Sequence, residues 1–282
     1  MTIQELENNK LSLKNEGRLS LFFIGVGSAF SKLNNQTNLL ITKGDDHILI
    51  DCGTKCSQAL VELGISIPDI QNYLITHSHA DHIGGLEESS LLGRYFVKKK
   101  PKMIINQTYQ KILWEMSLMG GCAYSEGNGG TLLTFEDFWE PLRPKLISGM
   151  PREMEEINIG KINIKIFRTK HIPDLSTSWK TSFLSYGVII DDRILFTSDT
   201  QYDEDMIFSL DKIFKFEVIF HDCQLYPGGV HSYLEDLNKL PITVKNRMYL
   251  DHYGDNWIKF EDKVKEYGFI GFAKQQSFYI FD

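Results

Sequence analysis

The run Thr76–His82 constrains this chain more than any other segment. Three imidazoles and one carboxylate fall within six consecutive positions, namely His77, His79, Asp81 and His82. The whole sequence has only eight histidines, so this density is unusual. Neutral imidazole and carboxylate groups are the ligands that suit zinc and related divalent ions. The preceding residues 69–75 are predicted to form a short buried strand, so the turn after it can direct the four side chains toward one centre. The run therefore predicts a bound metal.

Length, charge and cysteine content narrow the class of protein. A chain of 282 residues buries a sizeable core without disulfides. The net charge of −7 and the lack of an extended basic face argue against a protein that grips long nucleic acid, whereas a small anionic substrate is compatible with them. The four cysteines form no CxxC pair. Residues 1–17 have no apolar targeting segment, and no stretch approaches the ~18 apolar residues that span a bilayer. We expect a cytoplasmic protein without membrane contact.

The pattern of apolar residues predicts strands and helices that alternate along both halves of the chain. The predicted strands cover 19–27, 37–43, 47–51, 157–168 in two segments around Gly160, 182–190, 193–198 and 216–221. The predicted helices cover 55–63, capped by Thr54 and ended by Gly64, then 84–92, 108–119, 232–240 and 256–267. This order favours two sheets packed between helical layers. We expect one domain over 18–282, preceded by a poorly ordered tail over 1–17.

A glycine-rich segment, Gly120–Gly130, interrupts this pattern. Five of its eleven residues are glycine, so little intrinsic structure is expected there. It is either a surface connection, a mobile flap near the active site, or a loop that reaches into a partner subunit.

Further candidate ligands follow strands in the second half. His171 follows the strand predicted to end at Arg168, Asp199 follows the strand 193–198, and His252 follows the apolar segment 247–251. Each residue alone is compatible with an exposed strand end. Their occurrence together with the Thr76–His82 run favours a second set of ligands, because that run cannot fill two coordination spheres.

At these residues the chain resembles the metallo-β-lactamase superfamily, whose fold is a four-layer αββα sandwich with one or two metals at the sheet edges. Asp51 matches the first motif of that family, a structural aspartate beside the metal loop. The resemblance implies one metal held by His77, His79 and His171, a second held by Asp81, His82 and His252, and Asp199 as the bridging ligand. An aspartate rather than a cysteine at the bridging position is unlike the β-lactamases that destroy antibiotics. It fits the phosphodiesterase and glyoxalase branches.

A second constellation resembles the ribonuclease Z-like branch. Asp222 ends a predicted strand, and His231 lies just ahead of a helix that an S-x-x-E box of Ser232 and Glu235 is expected to cap. In that branch a histidine steadied by an acidic residue, commonly Glu, gives a proton to the leaving oxygen. The resemblance therefore implies catalytic roles for His231 and Asp222, and for the metal ligand Asp81. The alternative for His231 is a surface histidine, and His221 is expected to be buried and satisfied.

The spacing between ligands bears on the substrate. The branch members that mature transfer RNA carry a long arm between the third-motif histidine and the bridging aspartate. Residues 172–198 leave no room for it. The opening segment 23–31, followed by Asn38, is similar to the small phosphodiesterases of this branch, and in particular to phage anti-Pycsar enzymes that cleave cyclic mononucleotides.

The resemblance implies a phosphodiesterase that hydrolyses cyclic mononucleotides to nucleoside 5′-monophosphates through a hydroxide between two divalent metals, most simply Zn²⁺, with Mn²⁺ as the alternative. Such an enzyme would counter a cyclic-nucleotide defence signal in the host cytoplasm, and a homodimer is expected. The alternatives are a ribonuclease Z-like RNA 3′-processing nuclease, an ester or thioester hydrolase on the same fold, and a non-catalytic scaffold.

Overall fold

The computed structural model of the protein describes residues 1–6, 10–126 and 129–282. Parts of the predicted tail 1–17 and of the glycine segment Gly120–Gly130 thus lie outside the described residues. The strands are β1 Thr2–Glu5, β2 Leu19–Gly25, β3 Asn38–Lys43, β4 Asp46–Ile50, β5 Asn72–Leu74, β6 Lys102–Ile104, β7 Glu140–Leu142, β8 Lys145–Leu146, β9 Met154–Ile159, β10 Ile162–Arg168, β11 Tyr186–Ile190, β12 Ile194–Phe196, β13 Val218–Asp222, β14 Met248–Asp251, β15 Gly271–Phe272 and β16 Ser277–Phe281.

Most helices are short. The α-helices are α1 Cys56–Glu62, α2 Ala80–Ile83, α3 Leu86–Leu91, α4 Gln107–Leu113, α5 Met119–Cys122, α6 Phe135–Phe138, α7 Glu204–Phe214, α8 Leu234–Leu237, α9 Ile242–Lys245 and α10 Glu261–Glu266. A π-helical turn follows α3 at Leu92–Val97, and another follows α4 at Trp114–Leu118. Within the ranges that the structure describes, no helix has the length and apolar character needed to cross a bilayer.

Contacts between Cα atoms divide the chain into two compact units. The first unit comprises Met1–Gly25, Asn38–Pro144 and Gln276–Asp282. The second unit comprises Val26–Thr37 and Lys145–Gln275. Each unit contains one eight-stranded sheet.

The sheet of the first unit has the order β1-β16-β2-β3-β4-β5-β6-β7. Its strands are antiparallel up to β4, and β4 to β7 are parallel. Strand β2 is buried along its whole length. The parallel strands β4 and β5 place Asp51 and the Thr76–His82 run at the same edge of the sheet, since each follows the carboxyl end of its strand.

The sheet of the second unit has the order β15-β14-β13-β12-β11-β10-β9-β8. Strands β12 to β15 are parallel. Strand β11 is antiparallel to both β10 and β12, so β10 runs in the same direction as β12. The carboxyl ends of β10, β12, β13 and β14 therefore meet at one edge of this sheet.

Two predicted helix caps are wrong. Lys55, not Thr54, is the N-cap residue of α1. Helix α8 is capped at Tyr233 without the predicted box, because Ser232 donates its hydroxyl to the Thr200 carbonyl oxygen at 2.9 Å. The Glu235 carboxylate instead accepts hydrogen bonds from Lys263 and, at 2.7 Å, from the Tyr267 hydroxyl. Tertiary partners thus outcompete the local box.

The longest α-helix of the described residues, α7, was not predicted. Its N-cap Asp203 accepts a hydrogen bond from the Met206 amide at 3.1 Å. Met206, Ile207 and Leu210 form its buried stripe at helical spacing. Both the N-cap residue and the apolar stripe can be recognised from the sequence.

Candidate functional site

In the first unit, Asp51 organises the Thr76–His82 run. Its Oδ1 accepts a hydrogen bond from the Thr76 amide at 2.8 Å, and its Oδ2 accepts one from the Thr76 hydroxyl at 2.7 Å. The same Oδ2 lies 2.7 Å from Nδ1 of His82. This carboxylate is 1% exposed. It fixes both ends of the run, which is the structural role that the resemblance implies for it.

The candidate ligand atoms of this run approach one another in two pairs. Nε2 of His77 lies 3.0 Å from Nδ1 of His79, and Nε2 of His82 lies 3.2 Å from an Asp81 carboxylate oxygen. The hydrogen bond to Asp51 engages Nδ1 of His82, so the ring presents Nε2 to Asp81. His77, Asp81 and His82 are buried, whereas His79 is the most exposed of the four.

In the second unit, Asp199 lies between two histidines. Its Oδ2 is 3.7 Å from Nε2 of His171 and 3.5 Å from Nε2 of His252. The three residues follow β10, β12 and β14, whose carboxyl ends share one edge of the sheet, and all three are buried. The structure therefore brings together the three candidate ligands that lie far apart in the second half of the sequence.

A backbone carbonyl orients His171. Nδ1 of this ring donates to the Val230 carbonyl oxygen at 2.9 Å, which leaves Nε2 as the nitrogen that faces Asp199. Burial lowers the pKa of His171 to about 4, against the opposing effect of the Asp199 carboxylate. The imidazole is therefore neutral at physiological pH, which is the form that binds metal.

Asp222 and His231 form a hydrogen-bonded pair beside Asp199. Nδ1 of His231 lies 2.8 Å from Oδ2 of Asp222, and this oxygen also accepts the Thr200 amide at 2.9 Å. His231 is 19% exposed, and its Nδ1 lies 3.9 Å from Asp199. Candidate ligand atoms of Asp199, Asp222, His231 and His252 all lie within 4.8 Å of one another. The predicted neighbours Asp222 and His231 are thus adjacent in space.

The pKa values of this pair move in opposite directions. Burial lowers the pKa of His231, but the nearby carboxylates of Asp222 and Asp199 outweigh that effect, and the net pKa is raised. Burial raises the pKa of Asp222, but His231 and His252 outweigh it and the net pKa is lowered. The pair therefore favours an imidazolium held by a carboxylate, which is an arrangement suited to giving a proton.

His221 binds the backbone of Asp222 and not its carboxylate. Its Nδ1 lies 2.8 Å from the Asp222 carbonyl oxygen, the side chain is fully buried, and burial lowers its pKa. The ring is buried as expected, but it is not fully satisfied, because its Nε2 has no hydrogen-bond partner within the described residues.

Three residues of the site have left-handed backbone. Asp51, Ser198 and His252 have φ values of 63°, 49° and 53°. This conformation costs about 1–3 kcal/mol per non-glycine residue and is retained where the surrounding structure requires it. Asp51 and His252 directly follow β4 and β14, and Ser198 lies two residues after the end of β12, so each marks a change of chain direction at a strand end.

Several contributors to the site were missed by sequence reasoning. Thr76 and Thr200 each lie beside a predicted site residue, so their proximity to the motifs was a usable signal. The carbonyl of Val230 gave no signal, because every residue has one. Asp251 is a buried carboxyl whose oxygens make no hydrogen bond within the described residues, and burial raises its pKa well above the usual range.

The donor set fits divalent metal. Tetrahedral zinc with bonds of 2.0–2.1 Å separates neighbouring ligand atoms by roughly 3.3 Å. The four pairs His77–His79, Asp81–His82, His171–Asp199 and His252–Asp199 span 3.0–3.7 Å. Their nitrogen and oxygen atoms suit zinc or manganese.

Comparison with known proteins identifies the fold and the family. The structure is similar to the metallo-β-lactamase fold protein YhfI from Bacillus subtilis, with a TM-score of 0.62, 15% identity, and coverage of 94% of this chain and all of that one. It is also similar to human tRNase Z, short form, with a TM-score of 0.59, 17% identity, and coverage of 92% and 98%. The two mixed sheets with their helices are therefore the predicted metallo-β-lactamase α/β sandwich fold.

The sequence itself matches a family profile. The profile described as "Anti-Pycsar protein Apyc1" matches residues 19–279. An anti-Pycsar protein Apyc1 from Bacillus phage BSP38 is 37% identical over 266 residues, which cover 91% of this chain and 96% of the relative. The resemblance to anti-Pycsar proteins inferred from the motifs is confirmed, and the chain belongs to the anti-Pycsar protein Apyc1 family.

Proposed function

We propose that this protein is a metal-dependent phosphodiesterase that hydrolyses 3′,5′-cyclic mononucleotides to nucleoside 5′-monophosphates. The observation that carries the proposal is the hydrogen bond of 2.8 Å between His231 and Asp222, with His231 only 3.9 Å from Asp199. A proton donor beside a candidate metal ligand is what cleavage of an alkyl phosphodiester requires. Membership of the anti-Pycsar family supports a cyclic-nucleotide substrate.

The proposed metal ligands follow the resemblance to the metallo-β-lactamase superfamily. His77, His79 and His171 would hold one ion, and Asp81, His82 and His252 would hold the other. Asp199 would be the ligand that both ions share.

When bound, two such ions supply Lewis acidity toward the phosphoryl group and lower the pKa of a nucleophilic water. The residues of the protein position the groups of the site. Asp51 holds the Thr76–His82 run in place, and the Val230 carbonyl fixes the His171 ring. Asp81 orients the reacting groups as well as binding metal.

His231 acts as the general acid in this proposal. The hydrogen bond from Nδ1 to Asp222 directs the Nε2–H group outward, toward the departing 3′ oxygen of the ribose. The raised pKa of His231 favours the protonated ring at the start of the reaction. Asp222, with its lowered pKa, remains ionised throughout and stabilises the imidazolium.

The proposed setting follows from the substrate. A small anionic nucleotide would be met in the cytoplasm, where removal of a cyclic-nucleotide signal would silence an antiphage response. We also propose that the protein acts as a homodimer without a nucleic-acid partner. Light scattering after size exclusion tests the dimer directly.

A substrate panel tests the function. The purified protein, loaded separately with Zn²⁺ and with Mn²⁺, is incubated with 3′,5′-cyclic AMP, GMP, CMP and UMP, with a tRNA precursor and with a thioester, and the products are separated by chromatography. We expect 5′-monophosphates from at least one cyclic nucleotide. Cleavage of the tRNA precursor or of the thioester, with no cyclic nucleotide consumed, would contradict the proposal.

A further inference from the structure

The loop 225–231 carries two groups that the site uses. It begins after Gln224 and ends at His231, the proposed general acid. The Val230 carbonyl on the same loop accepts the hydrogen bond from Nδ1 of His171 at 2.9 Å. The position of this loop therefore governs two ring orientations at once.

The backbone of Gln224 connects the two ends of this loop. Its backbone amide donates to the Ser232 carbonyl at 2.7 Å, and its own carbonyl accepts from the Leu234 amide at 3.0 Å. These bonds join the two ends of the loop in a short bridge between Gln224 and Tyr233.

The side chain of Gln224 also holds the inside of the loop. Its Nε2 donates to the Tyr226 carbonyl at 2.6 Å and to the Gly228 carbonyl. The residue is only 5% exposed. The loop turns sharply at Gly228 and Gly229, whose φ values of 86° and 84° strongly favour glycine. An amide that binds two carbonyls across such a turn fixes a segment whose glycines would otherwise leave it free to move.

We propose that Gln224 is a positioning residue that holds His231 in the orientation needed to protonate the leaving group. This inference rests on the proposed function and assigns a role to a residue outside the metal and proton-donor sets. Gln224 contacts neither substrate nor metal in this proposal. It acts only through the loop 225–231.

Two substitutions separate this role from general stability. Gln224→Glu keeps the shape of the side chain but replaces the NH₂ donor with an oxygen that repels both carbonyls. Gln224→Met removes the donors without adding charge. If the glutamate variant fails to fold, as judged by circular dichroism, the methionine variant carries the test.

Two substrates with different leaving groups distinguish a loss of proton donation from a loss of substrate binding or of folding. The ribose oxygen of 3′,5′-cyclic AMP needs a proton as it departs, whereas the p-nitrophenolate of bis(p-nitrophenyl) phosphate departs without one. General-acid catalysis contributes ~10²–10⁴ in rate. We expect the Gln224 variants to lower kcat for cyclic AMP at least about tenfold more than kcat for bis(p-nitrophenyl) phosphate. A shift of Val230 on the same loop would disturb His171 and lower both rates, whereas misplacement of His231 lowers only the first.

Two control variants show what no effect and a general loss of activity look like. Gln58→Glu makes the same change at an exposed site on α1 and should leave both rates unchanged. Gln201 donates its amide to the carbonyls of His171 and, at 2.8 Å, Pro173, so it holds a metal ligand instead of the proton donor. Gln201→Glu should therefore lower both rates together.

A second readout needs no turnover. In metal-free protein with ¹⁵N-labelled histidine, the His231 Nδ1–H group that binds Asp222 should give a downfield proton signal, assigned by its loss in His231→Ala. We expect that signal to weaken or vanish in the Gln224 variants. Equal loss of both rates, or an unchanged signal with unchanged cyclic AMP turnover, would overturn the inference. If the wild-type protein hydrolyses neither substrate, the proposed function fails, and the proton signal still decides whether Gln224 positions His231.

Discussion

His231 is the residue on which the proposed chemistry depends. Its ring is held by a carboxylate that is itself fully buried, so the imidazole has one defined orientation. The sequence already singles it out as a candidate, because the His231-Ser232 pair follows Asp222 in a pattern that resembles the ribonuclease Z-like branch. The contacts that orient it could not be recognised there, because Gln224 acts through backbone carbonyls and no residue type marks a carbonyl.

Replacement of His231 gives the first prediction. His231→Ala removes the proton donor and leaves every proposed metal ligand in place. We expect unchanged metal content by elemental analysis and at least a hundredfold lower turnover of the cyclic nucleotide, in line with ~10²–10⁴ for a general acid. Full turnover in a correctly folded variant would remove His231 from the mechanism.

At the scale of elements, strands were predicted more accurately than helix ends. The hairpin of β3 and β4 and the pair β9 and β10 were identified, because alternating apolar runs and turn glycines are local signals. The predicted cap of α8 is wrong because Ser232 and Glu235 bind tertiary partners instead. Such competition depends on residues distant in sequence, which local patterns do not contain.

Gly187 in β11 gives a prediction about strand packing. It lies opposite Phe167 of β10, and a Cβ atom added to Gly187 would lie 2.3 Å from the Phe167 ring. Gly187→Ala should lower the free energy of unfolding by about 1–3 kcal/mol, measured by urea denaturation. The double variant with Phe167→Leu should recover part of that loss.

The matched control is Gly120→Ala, where an added Cβ meets no atom within 4 Å. This change should leave the stability unchanged or slightly higher, because alanine favours a helix. An equal loss in both variants would show that the Phe167 contact is not the cause.

His47 in β4 gives a prediction about pH. Its Nε2 accepts the Gln71 amide at 3.0 Å. Burial, with the charges of Lys14 and Lys99 and against that of Asp46, lowers its pKa below 6.5. The unfolded chain therefore takes up the proton first, and stability should fall as the pH drops from 6.5 toward the lower folded-state pKa.

The variant His47→Gln keeps an acceptor that does not titrate. We expect its free energy of unfolding to fall less than that of the wild-type protein between pH 7.5 and pH 5.5. Identical slopes in the two proteins would exclude His47 as a source of the pH dependence.

At the scale of the whole molecule, the fold class followed from the order of strands and helices and from the ligand motifs. The direction of the strands in the second sheet did not follow, since pairing between β10, β11 and β12 is a long-range property. That direction is what brings His171, Asp199 and His252 to one edge.

Metal removal gives the prediction at this scale. Binding to the folded state alone stabilises a protein, by about 2.7 kcal/mol at a ligand concentration of 100 Kd. We expect EDTA to lower the Tm of the wild-type protein. Asp199→Ala should show reduced metal content by elemental analysis and a smaller response to EDTA. Normal metal stoichiometry in that variant would contradict the bridging role of Asp199.

The parallel edge of the second sheet also bears on when, during folding, the protein can bind metal. Its histidines and aspartate converge only after distant stretches of chain have joined, whereas the Thr76–His82 run keeps its four side chains neighbours even in a nascent polypeptide. A metal ion that binds before the second sheet has formed would have only the ligands of the Thr76–His82 run. Tight binding would require the later strands to be in place. Loading would therefore be a late event in biogenesis.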